Sequence, residues 1–260
     1  MYPNVSPRPW LRALSLNLRL DRAADGDDAW PTRRERVVDC IRVHRPDCLA
    51  LQEALPGQLE YLRRSLPEYE FHAVGRQPDG GGERVPVGWR TDRFEAVATD
   101  AFWLSPAPTD PGSDFPDAAH PRVTTTATLR DRDSGDVARV VDTHFDHEGA
   151  NARSRSAALL ADRLGDADRP TLLLGDLNCE PDDEPYRRLA AALTPARAGA
   201  DRTYGPTATF HGFTGEPTAA IDHGFVAGLP VSTFAVLPDR DEAGYLSDHF
   251  PVVVDVGRPG

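Results

Sequence analysis

Short apolar runs that end at a polar residue recur along this chain, and they predict strands. Residues 171–174 read TLLL, a continuous apolar run typical of a strand that is covered on both faces. Residues 11–20 alternate instead, with four leucines on one face and Asn17 and Arg19 on the other. By the same criteria we predict further strands at 47–53, 69–74, 87–90, 93–98, 122–129, 137–143, 207–211, 219–225 and 250–256.

Apolar residues at helical spacing predict four helices between these strands. Residues 33–44 place Val37, Cys40 and Ile41 on one face, and Pro46 ends the segment. The other helices are predicted at 56–66, 151–164 and 184–193. Many strands, few helices, no composition break and no internal repeat favour a single α/β domain spanning residues 1–260. We expect two packed sheets with helices outside.

The charge balance bears on which ligand the protein binds more than on which fold it adopts. The 260 residues carry 29 Lys and Arg against 41 Asp and Glu, a net charge of −12. Non-specific binding of nucleic acid depends on basic surfaces that neutralise phosphates, so this balance disfavours DNA or RNA as a generic partner. A small phosphorylated molecule is the favoured ligand, although a local basic site for nucleic acid remains open.

Three unclustered cysteines, Cys40, Cys48 and Cys179, argue against a disulfide framework and against a thiolate zinc site. The first residues, MYPNVSPRPW, lack the apolar core of a signal peptide, and no apolar run reaches the length of a membrane span. We therefore expect a reduced, cytoplasmic protein that is not attached to a membrane. The oligomeric state stays open.

Polar residues at the strand ends carry the candidate chemistry. Asp176 and Asn178 follow the TLLL run, and residues two apart on an extended chain face the same side. The alternative is an Asp/Asn turn whose side chains bond the local backbone. The complete set of such residues is Asn17, Glu53, His144, Asp176, Asn178, Asp222, Asp248 and His249. Carboxylates and amides without thiolates favour Mg²⁺ or Mn²⁺ over zinc.

Six segments in order along the chain resemble the endonuclease/exonuclease/phosphatase superfamily, also called DNase I-like. They read SLNLR, LALQE, DTHFDH, LLLGDLNCEP, AIDHGFV and SDHFPVVVDV, and they span residues 15–256. The segments DAWPTRRERV, FWLS and HPRV further resemble a small bacterial branch. The resemblance implies a four-layer α/β sandwich, in which two mixed sheets pack face to face, helices flank them and the site lies at one end.

The resemblance also implies roles for individual residues. Glu53 would be the main metal ligand, with Asn17 beside it and Asp248 completing the inner shell around Mg²⁺ or Mn²⁺. A divalent cation offsets charge that develops on phosphoryl oxygens during in-line attack. The alternative for a carboxylate directly after a buried strand is simple exposure to solvent.

The catalytic group implied by the resemblance has five members. Asp176 would orient or deprotonate the attacking water, and Asn178 would hold the water or a phosphate oxygen. His249, oriented by Asp222, would be a second acid/base group, and His144 would donate to a non-bridging oxygen. The sequence leaves open whether Asp176 or His249 takes the proton.

Two further residues, Arg122 and Asp146, are candidates for substrate binding. Asp146 extends the His144 motif, and Arg122 stands at the start of a predicted strand, where a phosphate contact and a solvated side chain are both open. The Gly-rich segment 80–82 is not expected to bind phosphate, because no helix follows it.

Metal-dependent hydrolysis of a phosphomonoester or phosphodiester is the leading hypothesis, with a small metabolite or nucleotide favoured over duplex DNA. The alternatives are a nuclease acting on DNA or RNA and a non-catalytic binding scaffold. A glycosidase with Glu53 and Asp176 as paired carboxylates is disfavoured, because it leaves the histidines and asparagines without a role.

Overall fold

The structure of the protein, a computed structural model, describes residues 9–165, 169–238, 240–241 and 244–260. The strands are β1 (Leu11–Asn17), β2 (Cys48–Gln52), β3 (Tyr69–His72), β4 (Val87–Arg90), β5 (Phe94–Trp103), β6 (Val123–Asp131), β7 (Val137–His144), β8 (Thr171–Asp176), β9 (Thr194–Pro195), β10 (Ala200–Tyr204), β11 (Asp222–Ala227), β12 (Val231–Val236), β13 (Arg240–Asp241), β14 (Gly244–Tyr245) and β15 (Val252–Val256). The helices are α1 (Trp30–His44), α2 (Pro56–Ser65), α3 (Ala150–Leu164), α4 (Glu184–Ala192) and the single turn α5 (Ala196–Gly199), with a 3₁₀ helix at Ala23–Asp28.

Two mixed sheets form the centre of the molecule. One has seven strands in the order β10-β12-β15-β1-β2-β4-β3, and the other has six in the order β5-β6-β7-β8-β11-β9. Their facing side chains form one buried cluster, in which Ala13 and Ala50 of the first sheet pack with Val140 and Leu174 of the second. The predicted pair of packed sheets is confirmed.

Helices cover the outer face of each sheet. Leu14 and Leu16 of β1 pack with Val37 and Ile41 of α1, because alternate residues of a strand point to opposite faces. On the other side, α3 and α4 cover β7 and β8 through a second apolar cluster. The layers are therefore helix, sheet, sheet and helix. Among the described helices, none is both long and apolar enough to cross a bilayer.

The strand pairing brings the polar strand ends to one edge. Strands β1 and β2 run parallel, with Asn17 opposite Gln52, so Glu53 follows beside Asn17. Strands β7 and β8 are also parallel, and His144 lies opposite Asp176. Strand β11 runs antiparallel to β8, which places its first residue, Asp222, beside the last residue of β8. One end of the sandwich thus collects side chains that are far apart in sequence.

Several predicted element boundaries are corrected by the structure. β1 ends at Asn17 rather than at residue 20, since Arg19 adopts a left-handed conformation with φ 51°. Residues 93–98 belong to a longer strand, β5, and residues 207–211 form isolated bridges only. The structure adds β10 and β12, which were not predicted. β10 is largely exposed at a sheet edge, so backbone pairing forms it without a hydrophobic pattern.

Candidate active site

A cavity of about 380 Å³ opens at the edge where these strand ends meet. Seven of the ten predicted site residues line it: Glu53, Arg122, His144, Asp176, Asn178, Asp248 and His249. The remaining three, Asn17, Asp146 and Asp222, contact lining residues from behind. The predicted set is therefore one spatial cluster with an inner and a supporting part.

Asn17 joins two carboxylates. Its amide nitrogen donates to Glu53 Oε1 at 3.1 Å and to Asp176 Oδ2 at 3.0 Å. Its amide oxygen accepts the backbone N–H of Arg19 at 2.9 Å, so its partners decide the orientation of the amide. The amide oxygen has a second lone pair, so the role of Asn17 as a metal ligand stays a prediction.

Glu53 and Asp248 present carboxylate oxygens to the cavity. Glu53 directly follows β2 with φ 59°, a sparsely populated conformation for a residue with a side chain, and its Oε2 accepts the N–H of Leu20 at 2.9 Å. Asp248 is buried, and its Oδ1 accepts the hydroxyl of Ser247 at 3.2 Å. Burial raises the pKa of Asp248, and Glu53 adds to that rise.

Residues 176–178 form the local Asp/Asn turn that was one alternative, and they also present side chains to the cavity, which was the other. The backbone N–H of Asn178 donates to Asp176 Oδ1 at 2.9 Å, which is a local Asx turn, and Asn178 has φ 47°. The other oxygen of Asp176 faces Asn17, away from the turn. The chain is not extended at Asn178, so the turn rather than strand alternation brings its amide to the cavity. Burial raises the pKa of Asp176, and the charge of Asp222 raises it further.

His249 is held by Asp222. Its Nδ1 donates to Asp222 Oδ2 at 2.8 Å, and its Nε2 lies 3.9 Å from Asp176 Oδ2. The N–H of Asp222 donates to the hydroxyl of Thr209 at 3.1 Å, which anchors the pair in the fold. Burial alone would lower the pKa of His249, but Asp222, Asp176 and Asp248 raise it.

His144 has the opposite environment. Its Nδ1 faces a guanidinium nitrogen of Arg122 at 3.1 Å, and its Nε2 lies 3.1 Å from the amide nitrogen of Asn178 and 3.5 Å from Asp176 Oδ2. Burial lowers the pKa of His144 well below its usual value, and the charge of Arg122 adds to this effect. Arg122 is 5% exposed, so a solvated side chain is wrong for this residue.

Asp146 accepts backbone N–H groups with both of its carboxylate oxygens. One oxygen accepts the N–H groups of Glu148 and Gly149, and the other accepts those of Ala119 and His120, at 2.7 to 3.3 Å. Burial raises the pKa of Asp146, but these N–H groups and Arg122 outweigh it and lower the pKa to about 2. These bonds anchor the loops before β6 and before α3, and the role of Asp146 in substrate binding stays a prediction.

The cavity wall contains four arginines and four carboxylates. Arg19, Arg22 and Arg76 line it in addition to Arg122. Neither Arg19 nor Arg76 was predicted; Arg19 stands two residues after Asn17, a spacing that could have indicated it, whereas Arg76 lies in a loop without periodicity. Arg76 forms an ion pair with Glu83 at 2.8 Å. The guanidinium groups of this wall are donors of the kind that bind phosphate.

The residues present fit a divalent metal ion. Oxygen atoms of Glu53, Asp248 and Asp176 share one cavity, and oxygen ligands of this kind suit hard cations. Asp176, Asp222 and His249 also offer ligand atoms that all lie within 4.8 Å of one another. Within the described part of the chain, Asp222 Oδ1 is buried and has no hydrogen-bond partner. This buried group could hold a divalent metal.

A model of the endonuclease/exonuclease/phosphatase family matches residues 14–249, the range that contains these strand ends. The chain belongs to this family. Members of the family are generally hydrolases of phosphate esters and use divalent metals. No curated protein sequence matches the chain.

Solved structures of the family share the whole fold. An endonuclease/exonuclease/phosphatase protein from Bacteroides vulgatus is 32% identical, with 95% of this chain and 98% of that chain covered and a TM-score of 0.90. A mannosyl-6-phosphatase from Bacteroides thetaiotaomicron is 30% identical, with 95% and 99% covered and a TM-score of 0.89. The human Nocturnin catalytic domain with a bound sulfate anion, 22% identical with 95% and 94% covered, has a TM-score of 0.73 and shares the fold.

Proposed function

We propose that this protein hydrolyses a phosphate ester of a small metabolite or nucleotide with the help of Mg²⁺ or Mn²⁺. The observation that carries the proposal is the position of Asp176. One of its oxygens lies within 3.9 Å of Nε2 of both histidines and accepts a hydrogen bond from Asn17, in a cavity shared with Glu53. A carboxylate beside two imidazoles and a metal-binding carboxylate is a suitable arrangement for in-line attack of water on phosphorus.

Glu53 and Asp248 are the residues that we propose hold the metal. They are preferred over His249 because Asp222, Asp176 and Asp248 raise the pKa of that imidazole, and a protonated ring has no lone pair for a metal. When bound, the metal supplies positive charge for the phosphoryl oxygens. Asn17 keeps Glu53 and Asp176 in place through its two hydrogen bonds.

Asp176 is the proposed acceptor of the proton from the attacking water. Its pKa is raised by burial, so it is more basic than an ordinary carboxylate. His249, kept protonated by Asp222, would donate through Nε2 to the phosphoryl group or the leaving oxygen. His144 and Asn178 would donate to non-bridging oxygens, where charge builds up in the transition state.

A small substrate is favoured by the shape and charge of the molecule. The cavity of about 380 Å³ falls in the range of sites for small ligands. Four arginines line this cavity, whereas the net charge of −12 opposes a long polyanion. The similarity over the whole chain to a mannosyl-6-phosphatase supports a phosphorylated sugar as the first class to try.

The test is a panel of sugar phosphates, nucleotides, phosphodiesters and duplex DNA, assayed with Mg²⁺, with Mn²⁺ and with chelator. We expect metal-dependent turnover of a small ester, reduced about 10³-fold or more in Asp176→Ala and Glu53→Ala. The control is Glu60→Ala, which removes an exposed carboxylate from α2. Wild-type rates in both site variants would contradict the mechanism. Preferred cleavage of duplex DNA would contradict the substrate class, and metal binding without turnover would favour the scaffold.

A further inference from the structure

Arg122 directs its guanidinium at two imidazoles. One terminal nitrogen lies 3.1 Å from His144 Nδ1, and the other lies 3.1 Å from His147 Nδ1. A guanidinium has five N–H donors and no acceptor, and it stays protonated in proteins. Both contacts are therefore hydrogen bonds only if each Nδ1 is the acceptor, without a proton of its own.

A second donor faces His144 from the other side. The amide nitrogen of Asn178 lies 3.1 Å from His144 Nε2 and donates to the carbonyl oxygen of Phe145 at 3.0 Å. Turning this amide would place two oxygens against each other, so the nitrogen is the atom that faces His144. The ring thus lies between two donors, an arrangement that leaves no acceptor for a proton on Nδ1.

A neutral imidazole has one acceptor nitrogen, and the two donors compete for it. Hydrogen bonds from a charged donor are roughly twice as strong as those between neutral groups, so Arg122 takes the lone pair on Nδ1. The proton is then on Nε2, which lies 3.5 Å from Asp176 Oδ2. The Nε2 atom of His147 lies 3.5 Å from a carboxylate oxygen of Glu148.

We propose that Arg122 is a positioning residue that holds His144 in the neutral tautomer carrying its proton on Nε2. His144, which lines the cavity, is then an N–H donor through Nε2. His249 is oriented with the reverse polarity, since its Nδ1 donates to the carboxylate of Asp222. The tautomer does not depend on the substrate, whereas its consequence for turnover rests on the proposed function.

The surroundings of Arg122 keep its charge in place. Its Nε lies 3.6 Å from Asp146 Oδ2, and a terminal nitrogen lies 3.9 Å from Glu83 Oε2. These two carboxylates offset the cost of a buried guanidinium, so it need not pair with the substrate phosphate. Burial lowers the pKa of His144, and the charges of Arg122, Arg76, His249 and His147 lower it further, with Asp176 Oδ2 as the carboxylate oxygen 3.5 Å from its Nε2.

The direct test is long-range ¹H–¹⁵N correlation of the histidine rings in the full chain, with the His144 signals assigned by their loss in His144→Gln. We expect a neutral ring protonated on Nε2 from pH 5 to pH 9, with and without Mg²⁺. A ring protonated on Nδ1, or an imidazolium in this range, would overturn the proposal. This measurement uses no substrate, so it fails or succeeds independently of the proposed function.

Arg122→Met gives the second readout, with Arg76→Met as its matched control. Both remove a buried guanidinium from the cavity wall, but no hydrogen bond joins Arg76 to His144. We expect His144 to gain Nδ1 protonation in Arg122→Met and to keep the wild-type tautomer in Arg76→Met. An unchanged tautomer in a folded Arg122→Met protein would also overturn the proposal.

Turnover separates positioning from direct contact with phosphate. Losing one aligned donor lowers kcat by about 10²-fold or more, with little change in KM. In a His144→Ala background, we expect Arg122→Met to add less than about a threefold loss, because coupled residues are not additive. A multiplicative loss in that background, together with weaker inhibition by inorganic phosphate, would assign Arg122 to the substrate instead.

Discussion

At the scale of single residues, the chemistry depends on what faces each ring nitrogen. Nε2 of His144 and Nε2 of His249 both lie within 3.9 Å of the same oxygen of Asp176. Their Nδ1 atoms meet opposite charges, a guanidinium for His144 and a carboxylate for His249. Environments that move two pKa values apart divide acid and donor roles between two identical side chains.

Asp222→Asn tests this division. Asp222 raises the pKa of His249, so its charge keeps the ring protonated to higher pH. Without that charge, the pKa of His249 falls, and activity that needs the protonated ring is lost at a lower pH. We expect kcat to fall about 10²-fold or more and the alkaline limb of the pH–rate profile to move to lower pH.

The control for this variant is Asp255→Asn. Asp255 is also a buried carboxylate in a charged pair, with Arg12 at 2.7 Å, but it lies toward the opposite end of β15. Its pH–rate profile should match that of the unmodified protein. An unshifted alkaline limb in Asp222→Asn would contradict the assignment of that limb to His249.

At the scale of elements, the close packing of the parallel strands β7 and β8 positions the carboxylate of Asp176. Gly175, within β8, has φ 151° and lies so close to β7 that a Cβ atom would overlap the carbonyl oxygen of Thr143. The residue after it is Asp176, so the close approach of the two strands decides where this carboxylate stands. Glycine is required here by contact with the neighbouring backbone.

Gly175→Ala is expected to lower the free energy of unfolding by about 1–3 kcal/mol, because the added methyl forces β7 and β8 apart. It should also reduce turnover by moving Asp176. Urea unfolding followed by circular dichroism measures the first effect. The matched control is Gly57→Ala in α2, where nothing lies within 4 Å of an added Cβ. A loss of stability in the control equal to that in Gly175→Ala would contradict the explanation.

A buried acid, Asp142, lies at the interface of the two sheets. Asp142 of β7 accepts a hydrogen bond from Gln52 of β2 at 2.6 Å. Burial raises the pKa of Asp142 well above its usual value. A raised folded-state pKa means that stability is fully present below the unfolded-state pKa, near 3.8, and is lost as the pH rises through the folded-state pKa.

Asp142→Asn should remove this dependence. An amide keeps an acceptor for Gln52 and stays neutral, so the variant gains stability relative to the unmodified protein as the pH rises. We expect the difference in free energy of unfolding to grow by about 1–3 kcal/mol between pH 4 and pH 8. Denaturant titrations at several pH values measure it, and a difference that is constant across this range would contradict the protonation of Asp142 in the folded state.

At the scale of the whole molecule, the two sheets share one core. The central apolar cluster draws Leu11 and Val254 from the seven-stranded sheet and Leu129 and Leu172 from the six-stranded sheet. Neither sheet can keep its inner face covered without the other. The same packing supports the site, since Asn17 of one sheet bonds Asp176 of the other.

We therefore expect the protein to unfold as one cooperative unit. Far-UV and near-UV circular dichroism should report the same denaturation midpoint, because secondary structure and inter-sheet packing are lost together. Two separated transitions would contradict the assignment of residues 1–260 to a single domain.

Local patterns in the sequence determined the main strands, the edge at which the site lies and the family. Continuous apolar runs give strands covered on both faces, and the residues that end them mark the site edge, as at 171–178. Six ordered segments identified the family. These features depend on neighbouring residues along the chain, which is why they can be recognised without coordinates.

Only the tertiary structure decided which hydrogen-bond partner each polar atom of the site has. The amide of Asn17 faces two carboxylates, Asp146 is taken up by the backbone, and Arg122 lies buried against His144. Each of these depends on which donor a distant segment brings within 3 to 4 Å, and such competition for hydrogen bonds leaves no pattern in the sequence. The sequence determined which side chains reach the edge of the sheets, and the packing decided which of them remain available to a ligand.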